Sequence, residues 1–80
     1  MAREEVRSPL PGIFYRGPNP ESDPFAVEGQ AVGDEDVIGL IEVMKQFHEL
    51  RAGVSGKLVE FLVENNSEVT AGQALAVVET

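Results

Sequence analysis

The apolar positions of this chain fall in short runs divided by polar, turn-forming clusters. LVEFLV (58–63) is a β-branched and aromatic run that closes in ENNS, and ALAVVE (74–79) is another, opened by TAGQ. In the first half, IFY and FAVE flank the segment GPNPESDP, and VIGLIE follows GDED. Short runs bounded by turn residues at this spacing predict strands of an all-β sandwich or barrel. Apolar residues on consecutive positions suit strands enclosed on both faces.

The pattern also repeats. Val32, Ile38, Leu40, Ile41 and Glu42 match Val69, Leu75, Val77, Val78 and Glu79, all at an offset of 37. Upstream, Phe25, Val27 and Glu28 match Phe61, Val63 and Glu64 at an offset of 36. Further upstream, Gly12, Phe14 and Tyr15 match Gly56, Leu58 and Val59 at an offset of 44. The chain therefore reads as two copies of one unit. The first copy carries an eight-residue insertion, 17–24, rich in Pro, Asp, Asn and Ser. Such a segment cannot continue a strand and has to leave as a loop.

One stretch supports two readings. DEDVIGLIEVMKQFHELRAG places Val37, Leu40, Ile41, Met44 and Phe47 at helical spacings, with Asp34 or Asp36 as a cap and Gly53 as a stop. The repeat favours a hairpin instead, because VIGLIE is the mate of ALAVVE. Gly39 in mid-helix would also cost about 1 kcal/mol. The hairpin has strands of roughly 37–43 and 46–52 and a two-residue turn, Met44-Lys45. A tight hairpin wants positive φ in the turn, which Asn-Gly supplies and Met-Lys does not. A local rule broken at the midpoint between two copies marks a place to look for function.

Composition narrows the function classes. Fourteen Asp and Glu against six Lys and Arg give a net charge of −8, which opposes binding to nucleic acid or anionic lipid. No apolar run approaches the roughly 20 residues of a membrane span, and MAREEVRSPLPG lacks a signal peptide's apolar core. The expected setting is cytoplasmic. There is no cysteine and a single histidine, His48, so no thiolate or histidine cluster can bind a metal. Asp34, Glu35 and Asp36 lack calcium-loop spacing and read as a solvated turn. Asn65-Asn66-Ser67 matches a glycosylation sequon without a secretion signal to support it. Lys57, the only lysine besides Lys45, reads as a solvated strand end.

Three stretches together resemble a known family. EVMKQF is similar to the attachment motif of biotinyl domains, usually Glu-Ala-Met-Lys-Met. VRSPLPGIFYR resembles their opening strand and turn. GPNPESDP falls where the bacterial biotin carboxyl carrier proteins of acetyl-CoA carboxylase carry a projecting thumb loop. The resemblance covers roughly residues 5–79. It implies residues 1–4 as a tail and 5–80 as one biotinyl domain with a thumb-like loop at 17–24. The implied fold is a flattened β-barrel, a barrel-sandwich hybrid of two four-stranded antiparallel sheets related by a pseudo-twofold.

The implied function is that of a non-catalytic carrier. A biotin protein ligase would join biotin to Lys45 through an amide. Biotin carboxylase would carboxylate the ring, and carboxyltransferase would pass the carboxyl group to an acyl-CoA, most simply acetyl-CoA, in support of malonyl-CoA and fatty acid synthesis. Glu42, Val43, Met44 and Gln46 would form the surface that the ligase reads. The motif departs from the family pattern at Val43, Gln46, Phe47 and His48, and Gly17 stands where the thumb often has threonine. Two other functions share the fold: a lipoyl-type carrier of an oxo-acid dehydrogenase or glycine-cleavage complex, and an unmodified interaction module. Met44 argues against the lipoyl type, whose members usually carry Asp-Lys-Ala. The 17–24 segment reads equally well as a tolerated surface insertion.

Overall fold

The computed structural model describes residues 2–19 and 21–80. Among them are eight strands: β1 (Arg3–Arg7), β2 (Gly12–Tyr15), β3 (Ala31–Val32), β4 (Val37–Val43), β5 (Gln46–Arg51), β6 (Gly56–Phe61), β7 (Ser67–Val69) and β8 (Ala74–Glu79). No helix among the described residues is long and apolar enough to cross a membrane. The helical reading of 34–53 fails because β4 is paired along its length, with β2 on one side and β5 on the other. Each strand–strand pairing satisfies backbone groups that a helix would have closed on itself.

Two four-stranded antiparallel sheets result, ordered β1-β8-β6-β3 and β5-β4-β2-β7. Replacing each strand by the one four places away converts the first order into the second. The pseudo-twofold expected from the repeat is therefore present in the topology, and it extends to the register. Glu42 pairs with Phe47 as Glu79 pairs with Arg3, and Ile41 pairs with His48 as Val78 pairs with Glu4. Even the register shift recurs, between Val37 and Gly39 in one sheet and opposite Ala74 and Ala76 in the other.

Alternate residues of the strands turn inward. Phe14 and its mate Leu58, Ile38 and Leu75, and Ile41 and Val78 are all fully buried between the sheets. Val6 and Leu50, and Val32 and Val69, close the core in the same paired way. Phe14 meets Phe61 at a centroid separation of 5.8 Å. The turns are duplicated too. Gly33 N–H donates to Asp36 Oδ2 and Thr70 N–H to Gln73 Oε1, at 2.7 and 2.9 Å. Asp36 thus serves its own turn, GDED, as Gln73 serves TAGQ. Gly29 and Asn66, again mates at 37, both take positive φ, 94° and 70°.

The structure corrects three details of the sequence reading. The offset of 36 does not hold: Gln30 N–H donates to Val27 O as Ser67 N–H donates to Glu64 O, so the phase of 37 reaches back to Val27. Phe25, at 36% exposure, is no counterpart of the buried Phe61. Phe25, Val27 and Glu28 lie outside the strands, where apolar matches alone could not fix the phase. Arg3 and Glu4, placed in a tail, lie in β1, held by pairing to Glu79 and Val78; Met1 lies outside the described residues. The third detail is the length of the extra segment in the first copy, which is one residue shorter once the phase is corrected.

That segment, 17–24, leaves the barrel from a closed base, where Phe25 N–H donates to Arg16 O at 2.9 Å. Arg16 is seated by its own N–H on Asn65 Oδ1 and by its guanidinium over the Phe61 ring, 4.5 Å from the centroid. Asn19 Oδ1 gathers the loop by accepting from Glu21 N–H and Ser22 Oγ–H. Pro20, within the loop, lies outside the described residues. A Cβ on Gly17 would come within 2.9 Å of Asp23 O, so the two legs meet there too closely for the threonine of the family pattern.

Gly12 and Gly56 are a second kind of mate. A Cβ on either would overlap a carbonyl oxygen, that of Glu42 or that of Glu79. Gly12→Ala and Gly56→Ala should therefore each destabilise the domain by about 1–3 kcal/mol in urea unfolding followed by circular dichroism. Gly33→Ala is the control: its Cβ would stand at an ordinary 3.6 Å from Asp36 Oδ2, and a change within about 0.5 kcal/mol is expected.

Candidate functional site

The site follows from where β4 stops. Val43 pairs with Gln46, which leaves two residues to reverse the chain. Met44 and Lys45 take φ of 50° and 65°. Positive φ at both central residues is the type I′ geometry whose twist matches the flanking strands. An L-residue with a Cβ pays roughly 1–2 kcal/mol for this conformation. The sequence accepts that cost at two adjacent positions, and Met44 is 91% exposed. The paired strands on either side over-determine the turn, which is how such strain persists.

Lys45 is exposed and forms no ion pair among the described residues. Its amine is therefore presented on a flexible four-carbon stem from a rigid support. The pseudo-equivalent of this turn is the junction of the chain ends, where Ala2 and Thr80 exchange both backbone hydrogen bonds, as a pair flanking a turn would.

The flanking motif residues separate into two groups. Val43 is half-buried and packs against the core, so it anchors the end of β4. Gln46 is exposed beside the turn. Glu42 is half-buried, and its Oε1 accepts a 2.7 Å hydrogen bond from Tyr15 Oη. That carboxylate holds the phenolic proton in place and raises the Tyr15 pKa above its ordinary value, with partial burial acting in the same direction. The Tyr15 ring also packs on Phe47, centroids 6.0 Å apart and planes at 59°. Tyr15, Glu42 and Phe47 line a cleft of ≈ 390 Å³ whose other wall is Pro18, Asn19 and Asn66. The 17–24 loop thus forms one side of a hollow whose other side is the base of the lysine hairpin.

Sequence reasoning placed Lys45 and its neighbours on the turn but missed Tyr15 and Phe47 as parts of the site. Tyr15 lies 27 residues from Glu42, and no linear spacing connects them. His48 is exposed on β5, and Lys57 is exposed on β6. Asn65 is exposed, and its carbonyl oxygen accepts the Arg16 N–H at the loop base.

Comparison with known proteins gives a consistent picture. A family model described as "Biotin-requiring enzyme" matches residues 4–78. The biotin carboxyl carrier protein of acetyl-CoA carboxylase from Chlamydia trachomatis is 40% identical over 70 residues, covering 88% of this chain and 43% of that protein. The protein of the same name from Pseudomonas aeruginosa is 41% identical over 70 residues, covering 88% and 45%. The chain thus spans less than half the length of these relatives. In the crystal structure of Kluyveromyces lactis urea carboxylase, a region covering 99% of this chain and 6% of that one superposes with a TM-score of 0.81 at 30% identity.

Two outcomes test the geometry. Replacing Met44-Lys45 by Asn-Gly should stabilise the domain by about 1–2 kcal/mol in urea unfolding, since the strain is relieved. Tyr15 is the only tyrosine, so its ionisation can be read by absorbance. Its midpoint should lie above the ordinary value of about 10 and move back down in Glu42→Gln. A raised phenol pKa means that the folded state holds the proton longer. Its contribution to stability is whole below the unfolded pKa and is lost as pH rises through the folded one.

Proposed function

The chain belongs to the family of biotin-requiring enzymes, and from that premise we propose that Lys45 is the residue that receives biotin. The observation that carries this reading is the Met44-Lys45 turn: an amine held in solvent, at backbone cost, where the two duplicated halves join. The amide would form between Lys45 Nζ and the biotin carboxyl carbon. The amine loses a proton, and the group that activated the carboxyl leaves. A biotin protein ligase using ATP would catalyse this step.

The domain itself is a carrier and not a catalyst. Bound biotin would supply the ring nitrogen on which a carboxyl group travels between biotin carboxylase and carboxyltransferase. What the protein supplies is presentation. A tether turns each encounter with a partner into an intramolecular one, at effective concentrations on the order of mM. By analogy with the relatives named above, the acceptor is acetyl-CoA and the product malonyl-CoA for fatty acid synthesis, in the cytoplasm. Glu42, Met44 and Gln46 would be read by the ligase, with Val43 supporting them from below. The domain comprises the eight strands, and 17–24 is its thumb-like loop.

Met44 before the lysine favours biotin over a lipoyl group. Intact mass decides between them, because biotin adds about 226 Da and lipoyl about 188 Da. After incubation with a biotin ligase, ATP and biotin, the parent domain should gain one biotin. Lys45→Arg should gain none, and labelling elsewhere would show that the wrong lysine has been chosen.

A further inference from the structure

Three of the arginines in this acidic chain have a carboxylate partner: Arg3 pairs with Glu79, Arg7 with Glu5 and Arg51 with Glu49. Arg16 pairs with none among the described residues, although Glu21 and Asp23 belong to the loop that it anchors. Its side-chain nitrogens donate no hydrogen bond to any described residue, and Nε is buried without a partner. The guanidinium is held by its face instead, over the Phe61 ring. A buried donor left unmatched is costly, so its persistence calls for a reason. The mate of Arg16 at an offset of 44 is Glu60. The cation therefore belongs only to the copy that carries the 17–24 loop.

Arg16 borders a hollow of ≈ 200 Å³ at the foot of that loop, lined also by Gly17, Asn19, Ser22, Pro24 and Asn65. No carboxylate lines it among the described residues, in a chain of net charge −8. Both asparagines already have their oxygens engaged. Asn19 Oδ1 accepts from Glu21 N–H and Ser22 Oγ–H, and Asn65 Oδ1 accepts from Arg16 N–H. Each is left with its NH2 group, and neither group donates to a described residue. One guanidinium and two carboxamide NH2 groups around a single hollow are donors without an acceptor. The volume is below the roughly 300 Å³ at which pockets for drug-sized ligands begin. It suits a small ion with its water.

We propose that this hollow binds a small oxyanion, of the phosphate or carboxylate kind, between the Arg16 guanidinium and the carboxamides of Asn19 and Asn65. Nε and one Nη form an edge of the arginine fork that two oxygens of one anion can accept from together. Phe61 already fixes the plane of that fork, so little side-chain freedom is lost on binding. The three residues come from three segments: Arg16 follows β2, Asn19 lies in the loop, and Asn65 lies between β6 and β7. A bound anion therefore clamps the loop to the barrel. Asn19 also lines the cleft at the base of the lysine hairpin, so occupancy of the hollow steadies one wall of that cleft. The site stands whatever group Lys45 carries.

The test is a titration of the unlabelled domain with inorganic phosphate, replacing chloride at constant ionic strength and neutral pH, followed by amide NMR shifts. The amides of Gly17, Asn19, Ser22 and Asn65 should move along one saturating curve, with a Kd on the order of mM for a few charge-assisted hydrogen bonds beside water. Acetate should move the same amides, since the fork takes either oxyanion. Asn19→Asp keeps the oxygen that gathers the loop, replaces the NH2 donor and adds a charge of the anion's own sign. Its Kd should rise about tenfold or more. Arg16→Lys keeps the charge and loses the fork, and should weaken binding about fivefold or more. Arg51→Lys, a control elsewhere on the barrel, should leave the Kd unchanged.

Circular dichroism and melting establish that each variant is folded. Asn19→Asp decides the matter should Arg16→Lys unfold through lost packing on Phe61. Shifts that climb without saturating, or saturate on amides elsewhere, overturn the proposal, and so does an unchanged Kd in Asn19→Asp. Phosphate binding is read without any label, so a failure of Lys45 to take biotin leaves this result untouched.

Discussion

Glu42 and Glu79 occupy the same place in the two halves, and the carbonyl oxygen of each lies where a Cβ on the facing glycine would be. Gly12 and Gly56 therefore let β2 close on β4, and β6 on β8, at the last residues of the long central strands. Those strands carry large, fully buried side chains into the core, Ile38 and Ile41 in one and Leu75 and Val78 in the other. With both flanks paired, β4 has no freedom in where it ends. The Val43–Gln46 pair follows, then the two-residue reversal, then the exposure of Lys45.

A small barrel built this way is rigid where it needs to be. Neither sheet could bury its apolar face alone, and at 80 residues the chain hides only about 60% of the surface its unfolded form exposes. Duplication is economical here: one set of packing solutions serves twice, down to the turns at Gly33–Asp36 and Thr70–Gln73. The positive-φ strain at Met44 and Lys45 draws on that shared stability. A looser support would let the turn relax, and the amine would lose its fixed address.

Departures from the duplication carry the individuality of the molecule. Two are prominent, the 17–24 loop and the corner formed by Tyr15, Glu42 and Phe47. They face each other across one cleft. That cleft lies at the base of the lysine hairpin, and the mate face, with Arg3 paired to Glu79, shows what the same backbone carries elsewhere.

The sequence by itself determined the all-β class, the phase of 37 that relates the two β-rich halves, and the turn at Met44-Lys45. These rest on short apolar runs, on turn clusters and on a repeat, all of which are written along the chain. Tertiary structure alone decided the rest. It moved the repeat register at Val27, because a loop's length is not fixed by apolar matches. It drew Arg3 into β1, since an exposed strand is held by backbone pairing that side-chain patterns do not record. It also brought Tyr15 onto Glu42 and Phe47, because that contact runs across three strands whose neighbourhood exists only once the sheet has formed.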